Sequence, residues 1–169
     1  MGSHFTTLTR FGALAIFMAA TPAFAATRAA RAEAVALRPL SIVNRTDLEF
    51  GTLISSPVAG TVSINPSNDA RATTGGVTAA SGGPHAAQFL TASTGNQFLQ
   101  VNHNGLPTLT HTGGVATMKV TQLTLNGPVL RFIGPSGVLD LRVGGTLAVS
   151  ANQLDGQYTG TFQITVTYF

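Results

Sequence analysis

From residue 40 to the end, this 169-residue chain is a succession of short runs rich in Val, Ile, Leu, Thr and Phe, punctuated by Gly, Pro, Asn and Ser. β-branched and aromatic residues pack well on a pleated surface, and the punctuating residues favour reversals, so the pattern predicts an all-β domain. Helical periodicity is missing. The runs predicted as strands are residues 40–43 with 48–54, 61–65, 86–92, 97–101, 108–110, 116–125, 129–133, 137–149 and 157–168. Asn104-Gly105 and Asn126-Gly127 have the chemistry of two-residue hairpin loops, and residues 135–137 and Asp155-Gly156 mark two further reversals. Residues 66–84, mostly Gly, Ala, Ser and Thr, read as a long surface loop crossing the sandwich.

Little in the composition suits an active site. Only 9% of residues are charged, against about 25% in ordinary proteins, which leaves few groups for acid–base chemistry. Nine basic and six acidic residues give a net charge of +3, and the basic ones are scattered, so no nucleic-acid footprint is expected. There is no cysteine, hence no disulfide framework, thiolate chemistry or Cys-ligated zinc. His85, His103 and His111 have no metal-ligand spacing, and no G-x-S-x-G elbow supports a nucleophile. Asp47 and Glu49 beside Arg45 read as a solvated edge, and Asn44-Arg45-Thr46 as a turn. We expect a non-enzymatic protein with no metal and no cofactor.

Residues 1–25 combine Arg10, an apolar run from Phe11 to Ala20, Pro22 and a small-x-small ending at Ala23-Phe24-Ala25, the pattern of a secretory signal cleaved between Ala25 and Ala26. Its apolar run is about half the roughly 20 residues that a membrane-crossing helix needs, so the mature chain is not expected to span a membrane. The expected location is the periplasm en route to the cell surface, or secretion. The expected divisions are a signal peptide (1–25), an N-terminal extension (26–38) and a β-sandwich domain (39–169).

From Tyr158 the even positions are Tyr, Gly, Phe, Ile, Val and Tyr, and the odd positions are Thr, Thr, Gln, Thr, Thr and Phe. Such period-2 alternation predicts one long strand with one apolar face. It contains no Lys or Pro to blunt a free edge, so something is expected to pair beside it. With Gly156 fourteenth from the end and Tyr168 penultimate, this stretch resembles the C-terminal signature of chaperone–usher pilus subunits. The resemblance implies that Gly156, Tyr158, Phe162, Ile164, Val166, Tyr168 and the carboxylate of Phe169 are bound by a periplasmic chaperone or a neighbouring subunit, with an outer-membrane usher as a further partner.

A second resemblance covers more of the chain. Pro39-Leu40-Ser41-Ile42, Leu48-Glu49-Phe50-Gly51-Thr52, Val143-Gly144-Gly145-Thr146-Leu147 and Tyr158-Thr159-Gly160-Thr161-Phe162 are similar to motifs in a family of small exported α-proteobacterial proteins, catalogued as a domain of unknown function and regarded as pilin-like. Together the resemblances imply an immunoglobulin-like β-sandwich lacking a strand, completed by the extension of another copy. One register of that extension would present Ala30, Ala32, Ala34 and Ala36, and the other Val35 and Leu37. Burying Val or Leu is worth about 1.5–3 kcal/mol and an Ala methyl much less, so most affinity would come from backbone pairing. The absence of cysteine points to an alternate pilin class. The expected function is a structural fibre subunit supporting adhesion; the alternative is a self-contained secreted sandwich that binds a ligand or coats the cell.

Overall fold

A computed structural model describes residues 31–169. In chain order its strands are β1 (Ser41–Thr46), β2 (Leu53–Ile54), β3 (Gly60–Ile64), β4 (Arg71–Gly75), β5 (Thr78–Ala79), β6 (Ala87–Ala92), β7 (Gln97–Asn104), β8 (Thr108–His111), β9 (Thr117–Leu125), β10 (Leu130–Ile133), β11 (Val138–Val149), β12 (Tyr158–Thr159) and β13 (Gln163–Tyr168). Every ladder among them is antiparallel. The larger sheet runs β1-β6-β11-β9-β8-β12, with β3 also on β11 and β4 outside β3; the smaller runs β10-β7-β13; β2 and β5 form a ribbon.

The 12-residue β11 organises the larger sheet. Its first half pairs with β6 and its second half with β3, while β9 lies along its other side. The smaller sheet covers part of it. Leu99 and Val101 of β7, Ile133 of β10 and Val166 of β13 are buried with Leu141 of β11. A second cluster joins Val62, Ile64, Val120, Leu147 and Val149 to Phe50 and Val77. Phe89, Leu125 and Ile164 touch both clusters, so one apolar layer runs between the sheets. Non-directional burial of this kind selects the sandwich, and alternation decides which face turns inward. The chain is an all-β, antiparallel β-sandwich.

Several local expectations change. Asn104-Gly105 and Asn126-Gly127 are reversals, but β7 does not pair with β8, nor β9 with β10; each turn carries the chain from one sheet to the other. Asn126 stabilises its crossing through its side chain: Oδ1 accepts from Arg131 Nη1 at 2.9 Å and the Arg142 amide at 3.1 Å, while Nδ2 donates to the Asp140 carbonyl at 3.2 Å. Adjacent strands that do pair are β3–β4 and β8–β9. The presumed loop 66–84 holds β4 and β5, because Thr-rich edge strands need ladder bonds more than apolar side chains; Thr61 and Thr74 hydroxyls meet at 2.7 Å across the β3–β4 ladder. Residues 44–46 are strand with a register shift, not a turn. Residues 48–52 form an irregular extended segment, joined by the Glu49–His85 bridge, before the short β2.

The continuous C-terminal strand is also broken. Tyr158 and Thr159 pair with β8 in the larger sheet, whereas Gln163–Tyr168 pairs with β7 in the smaller. Gly160 lies at the crossing, where a Cβ would come within 2.7 Å of both Leu109 Cδ2 and the Thr108 carbonyl. Alternation survives the break: Val166 is buried and Ile164 and Tyr168 half-buried, while Gln163, Thr165 and Thr167 are exposed.

Candidate functional site

A groove of about 1010 Å³ opens over the larger sheet. Its floor is apolar, from Phe89 of β6, Leu109 of β8, Met118 and Val120 of β9, and Leu147 and Val149 of β11. The strand period places these side chains on the inner face, where Val120, Leu147 and Val149 are buried and Phe89, Leu109 and Met118 half-buried. One wall is the segment containing residues 47–55 and the other the segment containing residues 153–162. No strand ladder joins the walls. They converge where Ser55 Oγ donates to the Gln153 carbonyl at 3.2 Å.

Each wall is fixed from behind. Thr52 exchanges backbone hydrogen bonds with Ala80 and Ser81, and Arg71 Nη1 donates to the carbonyls of Phe50 and Thr52 at 3.3 and 3.2 Å. On the opposite wall Tyr158 donates its hydroxyl proton to the Leu154 carbonyl at 2.7 Å and accepts from Gln153 Nε2 at 2.8 Å. His111 crosses the Tyr158 ring edge to face, with centroids 5.2 Å apart, and bonds through Nε2 to the Asp155 carbonyl at 3.0 Å. Gly156 has φ +139, and a Cβ there would lie 2.0 Å from His111 Nε2, so no larger residue fits this latch.

Among the described residues β12 pairs only with β8, and two further strands keep a free edge: β13 pairs only with β7, and β1 only with β6. The Tyr168 hydroxyl ties their ends together, accepting from the Thr94 amide at 2.9 Å and donating to the Arg38 carbonyl at 2.6 Å.

The C-terminal residues singled out in the sequence do not form one row. Ile164, Val166 and Tyr168 face the interior of the smaller sheet. Tyr158, Gly156 and Phe162 line the groove, Phe162 meeting Phe89 edge to face at 6.3 Å. Phe169 is 79% exposed, its amide bonded to the Phe98 carbonyl. Ala32, Ala34, Val35, Ala36 and Leu37 are exposed and belong to no strand. Ala23, Ala25, Ala26 and Ala30 lie outside the described residues.

A family model described as a domain of unknown function, DUF4402, matches residues 40–168. The chain belongs to this family. No curated protein and no solved structure matches it. The DUF4402 match spans both groove walls and all thirteen strands. Sequence reasoning missed much of this groove. Leu109, Met118 and Val120 fall in predicted strands, but no local signal says that they line a groove. Gln153, nearly buried, binds the Ser150 amide and Tyr158, and as a lone polar residue in a loop it carries no pattern. Among the described residues no cluster of His, Cys, Asp or Glu could hold a metal ion, and no helix is long and apolar enough to cross a membrane.

Proposed function

We propose that this protein is a structural subunit of a surface fibre, exported through the periplasm and assembled by strand donation between copies. The observation that carries the reading is the groove: core side chains form its floor, two segments with no ladder between them form its walls, and the C-terminal strand that follows Phe162 has an edge unpaired among the described residues. A strand inserted there would gain backbone bonds along its length and cover apolar floor, the two terms that drive strand addition. The candidate donor is the extension 26–38 of another copy, joined to the domain at Arg38. Its small side chains leave affinity to the backbone ladder, with Val35 and Leu37 as apolar anchors. A periplasmic chaperone would shield the groove before assembly and an usher would export the subunits, as the C-terminal resemblance implies.

The test adds a synthetic peptide of residues 26–38 to protein lacking residues 26–37. Peptide binding is expected to raise Tm by several degrees, because a ligand that binds only the folded state stabilises it. Protein carrying the extension should form SDS-resistant ladders. A monomer with unchanged Tm overturns the reading. The groove also has the size of a small-molecule site, which supports the second reading, a self-contained sandwich that binds a ligand; that reading predicts a stable monomer indifferent to the peptide.

A further inference from the structure

Alternation in the smaller sheet turns one face inward, around Leu99, Val101 and Val166, and the other to solvent. On the solvent face three phenylalanines form a row across all three strands. Phe132 of β10 pairs with Phe98 of β7, and the Phe169 amide, just past β13, donates to the Phe98 carbonyl at 3.0 Å. Phe132 is 55% exposed, Phe98 49% and Phe169 79%, and every other phenylalanine among the described residues is buried or half-buried. Exposed aromatic surface is therefore gathered on this one face.

Beyond the row the same face changes character. Gln100 pairs with Thr167, Asn102 with Thr165 and Asn104 with Gln163, so three successive rows carry amides and hydroxyls, with Leu130 flanking Gln100. No outward position of these three strands carries a charged residue.

We propose that this face binds a soluble, uncharged polysaccharide chain, independently of any strand donation. A pyranose presents slightly positive C–H groups on its ring faces and hydroxyls around its rim. The first rest on aromatic faces, which are negative, and the second need neutral donors and acceptors. The phenylalanine row and the amide and hydroxyl rows beside it supply both. The lack of charge leaves nothing to attract a phosphorylated, sulfated or carboxylated polymer. Size points the same way: three strands about 4.8 Å apart, over about seven residues of about 3.4 Å, make a face of roughly 350 Å². A stable protein contact takes about 800 Å² from each partner, so this face alone is too small for a second copy. The Phe98 and Phe132 rings meet at 62° with centroids 5.3 Å apart, so the row is a stepped cradle that suits a single chain and not the flat surface of a crystalline polymer.

The experiment is affinity electrophoresis of the chain from residue 26 in native gels containing hydroxyethylcellulose, laminarin or galactomannan, with polygalacturonate as the anionic comparison and sedimentation velocity alongside. At least one neutral polymer is expected to retard the protein. Phe98→Thr/Phe132→Thr keeps strand-forming residues at exposed positions and is expected to weaken the apparent Kd about tenfold with Tm nearly unchanged. Should that pair fail to fold, Phe169→Ser, at the most exposed ring, is expected to weaken it about threefold. Asn102→Leu/Thr165→Leu separates sugar recognition from general stickiness, since it enlarges the apolar area while removing hydrogen-bonding groups; it is expected to weaken retardation as well. Tighter retardation of this leucine variant, unchanged retardation of the phenylalanine variants, retardation by polygalacturonate alone, or none by any neutral polymer overturns the proposal. A dimer of the unsubstituted protein that the phenylalanine variants dissolve overturns it too, by making the face a contact between copies.

Discussion

Asp69 turns the chain between β3 and β4 with φ +60, a left-handed geometry that Asp tolerates better than most residues. Its carboxylate accepts from the Ala86 amide at 2.7 Å and pairs with Arg142, and these two contacts, the amide first, hold its pKa below the ordinary carboxylate range. Because the folded group titrates lower than the unfolded one, its stabilisation is complete above about pH 4 and is lost as pH falls through the folded value. Denaturant melts at pH 6 and pH 3 should show Asp69→Asn costing about 1 kcal/mol at the higher pH, allowing for partial exposure, and less at the lower. Arg131 is a different case: burial pushes its pKa down, and among the described residues it forms no ion pair and its Nη2 has no hydrogen-bond partner. Asn126→Ala removes the acceptor for Nη1 as well, so it should cost about 2–3 kcal/mol in the same melts, more than a surface Asn→Ala would.

The strands show where period and propensity suffice and where they do not. β6, β7, β9, β10 and β11 fall close to their expected positions because each alternates or carries a β-branched run facing the buried layer. β4, with the sequence Arg-Ala-Thr-Thr-Gly, has no apolar face, and only its neighbour β3 makes it a strand. Asn-Gly pairs signal reversal but not which strands meet afterwards, since pairing across a sandwich is decided by packing far away in sequence. The break at Gly160 was equally hidden: an alternating stretch does not reveal that its first residues belong to one sheet and its last to the other. Gly160→Val should press a branched side chain into the Thr108 carbonyl, destabilising by about 1–3 kcal/mol and detaching β12 from β8, checked by thermal melts and by faster hydrogen exchange at the Thr112 amide.

At the end of the sandwich where β1 begins, one hydroxyl joins β13 to two other segments. Tyr168→Phe removes both bonds that tie β13 to Arg38 and Thr94, so it should lower Tm by a few degrees while leaving the groove lining unchanged. The groove itself could not be read from the chain, because its two walls, distant in sequence, meet only through contacts such as Ser55 with Gln153. β1 leads from Arg38 directly into its ladder with β6. A pull on the residues before Arg38, directed along that strand, therefore loads the β1–β6 bonds side by side in shear rather than unzipping them one after another. Resistance to traction along that strand is built into the point where the domain begins.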